Sequence, residues 1–104
     1  MDLATYEAAA VRTINPALAE NERLIDAAAG LAEEAGEALS IVRKHLFQNR
    51  DLDRAKLEEE LGDALWCIAM TARAAGLSLE QVAAANIAKL EERHSARLKS
   101  LPGR

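Results

Sequence analysis

Two short acidic motifs hold the residues best suited to chemistry in this chain. Glu34 and Glu37 stand three residues apart, and so do Glu60 and Asp63. In a helix that spacing puts both carboxylates of a pair on one face. At about 100° per residue, Glu34 lies roughly 60° to one side of Leu31, and Glu60 lies roughly 100° to that same side of Leu61. The two pairs can therefore converge along a seam between packed helices. Four carboxylates in such a seam, with Glu33 adjacent, repel one another strongly unless cations sit between them. Hard divalent ions that prefer oxygen are the natural occupants, Mg²⁺ first and Mn²⁺ as the alternative.

The elements that must position these acids read as helices. Apolar residues recur at three- and four-residue steps through Leu24, Ala28, Leu31, Ala35, Val42 and Leu46, and again through Leu57, Leu61, Leu65, Ile68 and Ala72. Asp2 can cap a first helix running to about Thr13. The Ile14-Asn-Pro-Ala17 segment breaks it, because the residue before Pro16 is pushed out of helical geometry. A second helix is expected from near Asn21 to about Phe47, carrying Glu34 and Glu37. Gly30 and Gly36 lie inside it, each costing about 1 kcal/mol of helix propensity relative to Ala, which points to room for a ligand or to close helix approach. The polar turn Gln48–Asp53 offers Asp51 and Asp53 as caps for a third helix that ends at Ala75, with Gly76 as the left-handed cap. Ser78 and Gln81 form a capping box for a fourth helix running to about Leu98, and the tail Ser100–Arg104 is expected to fray. The fold class is all-α, a four- to five-helix bundle, with residues 1–104 forming one domain.

Composition narrows the function. A chain of 104 residues buries roughly 65% of its unfolded surface and cannot enclose a large private cavity. Thirteen basic against 17 acidic side chains give a net charge of −4, the wrong sign for a general nucleic-acid binder. An anionic ligand would need local basic residues or metal. The single cysteine, Cys67, excludes a disulfide framework and fits a reducing compartment. No apolar run is long enough for a membrane span, and the N-terminus does not resemble a signal peptide, so a cytoplasmic location is expected. The stretch Ala64–Met70 is apolar on every side. A helix of that kind must be buried all round, which a bundle of about four helices does not achieve alone, so a subunit interface is inferred.

Each candidate has a plainer reading beside it. A single ExxE is usually a solvated face; the second acidic pair is what raises the prospect of a site. Glu22, Glu58 and Glu59 read as surface charges. Asn86, Lys89, Arg93 and Arg97 share one flank of the fourth helix, which is either a solvated face or an anion-binding one. Trp66, three residues after Asp63, can stack on a base at a pocket wall or be buried in an interface. Glu91 and His94 make one Glu-x-x-His step of the kind that di-iron bundles use twice. The other histidine, His45, follows Val42 at that spacing, so a di-iron site is disfavoured. There is no glycine-rich phosphate loop and no recognisable nucleophile triad.

Glu33-Glu-Ala-Gly-Glu37, a 22-residue gap, Glu60-Leu-Gly-Asp63 followed by Ala-Leu-Trp66, and Ala85-Asn-Ile-Ala-Lys-Leu90 followed by Arg93 closely resemble the MazG-like, all-α nucleoside triphosphate pyrophosphohydrolases. The resemblance covers roughly residues 20 to 95. It implies a Mg²⁺-dependent enzyme that cleaves between the α- and β-phosphates of a nucleotide, giving the monophosphate and pyrophosphate, and that works as a dimer or a dimer of dimers. Carried over by motif, the metal ligands would be Glu34, Glu37, Glu60 and Asp63, with Glu33 orienting or deprotonating the attacking water. Asn86, Lys89 and Arg93 would hold the nucleotide, with the basic groups on phosphates and Lys44 joining them. Many relatives follow that arginine with Tyr-Pro, where this chain has His94-Ser95, so a contact from that position is not carried over.

Two further readings stand beside this one. The phosphoribosyl-ATP pyrophosphohydrolases share the acidic motifs, but the Asn86, Lys89 and Arg93 pattern favours the triphosphate branch. The other is a non-catalytic helical interaction module, in which the acids are a solvated face and the apolar helix serves only assembly. Nothing in the sequence names the base or sugar.

Overall fold

The computed structural model describes residues 1–95 and 97, and among them it is helical, with no strand. α1 spans Leu3–Ala10, a 3₁₀ turn Val11–Thr13, α2 Glu20–Phe47, α3 Arg54–Ala74 and α4 Leu79–Arg93. The expected end of the fourth helix near Leu98 and the tail Ser100–Arg104 lie outside the described residues.

Local chemistry sets the helix ends. Asp2 Oδ1 accepts from Thr5 N at 2.8 Å, and Asp53 Oδ1 accepts from Lys56 N at 3.0 Å, so each aspartate satisfies an amide that the first turn leaves without a partner. α2 starts differently: Ala19 has no capping oxygen, and Glu22 Oε1 instead accepts from Ala19 N at 2.7 Å. Glu22 is thus a cap, not the idle surface charge its sequence context suggests. The α2–α3 turn places Asn49 at φ 52°, a left-handed conformation that asparagine tolerates. His45 Nδ1 donates to the Arg50 carbonyl at 2.7 Å across that turn, which gives this imidazole a structural task.

α3 ends in a Schellman motif. Leu77 N donates to Ala72 O at 2.8 Å and Gly76 N to Arg73 O at 3.0 Å, with Gly76 at φ 78°, as the sequence leads one to expect of a glycine there. α4 then opens on the reciprocal box: Ser78 Oγ accepts from Gln81 N at 3.0 Å, and Gln81 Oε1 accepts from Ser78 N at 3.4 Å.

The dominant packing is α2 against α3, an antiparallel pair joined by the short turn. At Gly30 the two helices are close enough that a Cβ would lie 3.0 Å from Cys67 Sγ. Gly36, by contrast, faces open space. α1 crosses α3 and the base of α4, closing a small core of Ala10, Ala27, Ala69, Met70 and Leu79 under Tyr6, Ile14 and Leu65. That cover changes the outlook for Ala64–Met70: Cys67, Ala69 and Met70 are buried within one chain, and the rest of the stretch is half-buried.

Much apolar surface stays outside. The radius of gyration is 16.8 Å, against about 13 Å for a compact chain of this length. Every residue from Ala84 to Ser95 is exposed. On α2, Ile25, Ala28, Ala32, Ala35, Leu39, Val42 and Leu46 form one exposed stripe at three- and four-residue steps. No helix among the described residues is long and apolar enough to cross a membrane.

One side chain ties the first and last helices together. Glu7 Oε1 accepts from Leu79 N at 2.6 Å, and Glu7 Oε2 pairs with Arg73 Nη1 at 3.7 Å. Glu7→Ala removes both and leaves the half-buried start of α4 without a partner, so it should lower unfolding stability by about 1–3 kcal/mol. Glu7→Gln keeps an acceptor and should lose less. Urea denaturation checks this; equal midpoints for wild type and Glu7→Ala would show that the contact contributes nothing.

Candidate metal centre

Glu34, on the middle of α2, reaches the seam beside Glu60 and Asp63 on the first half of α3. One carboxylate oxygen from each lies within 4.8 Å of the other two. Burial is graded: Glu60 is only 6% exposed, Glu34 is half-buried and Asp63 is open to solvent. A site with one dry wall and one wet wall admits a ligand from outside.

Three of the four expected carboxylates therefore meet, and Glu37 does not join them. Glu37 is exposed and acts on the group from a distance, through its charge at Lys56. Glu33 is exposed on the flank, close enough for its charge to be felt at Glu34. The sequence reading missed Lys56. Its Nζ lies 3.3 Å from Glu60 Oε1 and 3.7 Å from Glu59 Oε2. The spacing of four residues between Lys56 and Glu60 was the available signal. The hydrogen bond to Glu60, with the charges of Glu59 and Glu60 behind it, holds the ammonium above its ordinary range.

The group shares a proton. The hydrogen bond to Glu60, loss of water and the charges of Glu60, Asp63 and Glu33 push Glu34 from 4.5 up to about 7. The same hydrogen bond, then Lys56, hold Glu60 below its ordinary range. Glu34 therefore keeps its proton to higher pH than Glu60 does. Glu34 Oε2 is buried and receives no hydrogen bond from an N–H or hydroxyl donor. A buried acceptor without a donor is costly, and a cation among three oxygens supplies what is missing. The donor set fits a hard divalent ion.

The remaining candidates stand apart from this centre. Trp66 is half-buried one turn along α3 from Asp63, and its Nε1 donates to Thr13 Oγ1 at 2.8 Å. Asn86, Lys89 and Arg93 project from the exposed half of α4, and Arg97 beyond them is exposed as well. Lys44 is exposed near the end of α2, bordering a shallow hollow with Arg43 and Phe47.

The shared proton gives a signed prediction. Between pH 4.5 and about 7 the folded, metal-free protein keeps a proton on Glu34 that the unfolded chain has released, so this group makes stability fall as pH rises through that window. Glu60 acts in the opposite sense and only below its ordinary range, where its contribution is lost as pH falls. In chelator, Glu34→Gln keeps a donor to Glu60 without titrating, so the decline in melting temperature between pH 4.5 and 7 should flatten. Parallel pH profiles for wild type and variant would contradict a raised Glu34.

A family model of the MazG nucleotide pyrophosphohydrolase domain matches residues 23–98. No curated protein and no solved structure gives a significant match. The matched span contains all of α3 and α4, nearly all of α2 and every carboxylate of the centre. With that match over well more than half of its length, the chain belongs to the MazG nucleotide pyrophosphohydrolase domain family.

Proposed function

We propose that the protein is a divalent-cation-dependent nucleoside triphosphate pyrophosphohydrolase that cleaves the α–β phosphate bond and releases the monophosphate and pyrophosphate. The observation that carries this reading is the meeting of Glu34, Glu60 and Asp63, within a family whose chemistry is nucleotide pyrophosphate hydrolysis.

Glu34, Glu60 and Asp63 would hold the ion, Mg²⁺ or failing that Mn²⁺, with Glu37 as a fourth ligand on a swing of its exposed side chain. When bound there, the ion neutralises phosphate charge and lowers the pKa of bound water. Lys56 keeps Glu60 ionised and aimed at the seam. Glu34 must give up its shared proton before it can act as a ligand, so uptake of the ion releases a proton and strengthens as pH rises towards 7. Glu33, exposed on the rim, would take the proton of the attacking water. The oxygen of that water forms the new bond to the α-phosphorus as the bridging oxygen leaves with pyrophosphate. Asn86, Lys89 and Arg93, with Lys44, would hold phosphate groups.

The exposed stripe on α2 and the solvent-facing half of α4 support a homodimer or homotetramer. Burying that stripe against a second copy would also bring in another α4. Sedimentation should therefore give a dimer or tetramer at micromolar concentration; a stable folded monomer would count against assembly. Residues 1–104 are read as one domain of this enzyme.

A panel of nucleoside triphosphates with Mg²⁺, assayed for pyrophosphate, tests the activity. Asp63→Asn and Glu37→Gln should each abolish turnover and reduce the rise in melting temperature that Mg²⁺ brings by binding only the native state. Arg93→Ala should lower kcat/KM by about tenfold or more, since a charged hydrogen bond contributes roughly 1.5 to 3 kcal/mol, while the Mg²⁺ effect on melting stays. No pyrophosphate from any nucleotide, with melting indifferent to Mg²⁺, would return the protein to the interaction-module reading.

A further inference from the structure

We propose that Lys56 is a built-in second cation of the acidic centre: its ammonium holds the Glu37 side of Glu60, so the nucleotide-free protein takes one divalent ion per chain where its carboxylates would otherwise take two. This rests on the metal-dependent hydrolase reading and deepens it, by assigning the number of ions and the residue that sets that number.

α2 and α3 run antiparallel, so a step towards their connecting turn is a step forward on α2 and backward on α3. From the meeting of Glu34 with Glu60 and Asp63, one helical step in that direction leads to Glu37 on α2 and to Lys56 on α3. The acids thus continue past the three that meet, and an ammonium stands among them. Lys56 Nζ lies 3.3 Å from Glu60 Oε1 and 3.7 Å from Glu59 Oε2, and the charge of Glu37 acts on it as well. The side chain is anchored at its root, where Lys56 N donates to Asp53 Oδ1 at 3.0 Å.

Centres with two metal ions set them roughly 3.5–4 Å apart, a separation at which both ions draw on a shared carboxylate. Glu60 is placed to be shared: it belongs to the group of three, is nearly buried, and meets Lys56 on its other flank. A second ion on Glu60 would have to enter the space towards Glu59 and Glu37 that the ammonium holds. The charges agree with this. One divalent ion and one ammonium together balance the three carboxylates that meet, in a seam where buried charge must be balanced. A further divalent ion would be repelled by the ammonium beside it. Exposed Glu37 stays available to the single ion; with the ammonium gone, it could join Glu59 and Glu60 around a second. Lys56 acts through Glu60 and is thus a positioning residue.

Mn²⁺ is the probe, because paramagnetic resonance counts its free and bound fractions without any turnover. The nucleotide-free wild type should bind one Mn²⁺ per chain. Lys56→Met, which keeps a long unbranched side chain and removes the charge, should bind a second ion about tenfold more tightly than wild type does. It should also show the exchange-coupled spectrum of a carboxylate-bridged pair, which loss of a merely structural contact does not produce. Lys56→Arg keeps the charge and should stay at one ion. Lys56→Gln repeats the neutral test should the methionine variant not fold, and circular dichroism checks each. Two ions on wild type, or no coupled pair in a folded neutral variant, overturns the proposal, as does absence of Mn²⁺ binding throughout. Pyrophosphate release by a wild type that holds two ions removes this role of Lys56 and leaves the hydrolase reading intact. One ion rising to two in Lys56→Met, in a protein that hydrolyses no nucleotide, does the reverse.

Discussion

The repulsion among Glu34, Glu60 and Asp63 is the constraint around which the rest of the structure is arranged. Negative groups at this separation do not stay together in a partly dry seam without help. In the metal-free protein the help is of two kinds: a proton held on Glu34 and shared with Glu60, and the ammonium of Lys56 behind Glu60. Glu34 Oε2 is buried and has no donor from a neutral or basic group. The fold thus holds an arrangement that is poorly satisfied without a ligand. A site of that kind has energy to gain from a cation.

That arrangement needs a rigid frame, and the frame is one helix pair. α2 and α3 make most of the tertiary contact, and a glycine at position 30 lets them close on Cys67. α1 adds less area but fixes the ends. Glu7 joins it to Arg73 and to the first amide of α4, and its continuation through Thr13 pins Trp66. The same short segment therefore stabilises the helix pair.

The surface opposite is unfinished in the physical sense. A stripe of Ile25, Leu39, Val42 and Leu46 on α2 faces water, and so does the half of α4 that bears Asn86, Lys89 and Arg93. Apolar stripes at helical spacing gain most by packing on another helix.

The chain by itself determined the helices, most of their caps and the family. Asp2, Asp53, Ser78 with Gln81, and Gly76 act through neighbours a few residues away, so their capping roles could be read directly. The acidic motifs were equally legible, because spacing along one helix fixes which side chains share a face. Tertiary structure alone decided which carboxylates meet. Spacing gives the angle around an axis but neither the rotation of one helix against another nor their relative slide, and those are set by the packing of α2 on α3 along their whole length. So Glu37, one turn from Glu34 and equivalent to it on paper, stays outside the group. Lys56 enters it through Glu60. The bond between Thr13 and Trp66 was hidden for the same reason: the two are far apart in sequence, and only packing brings them together.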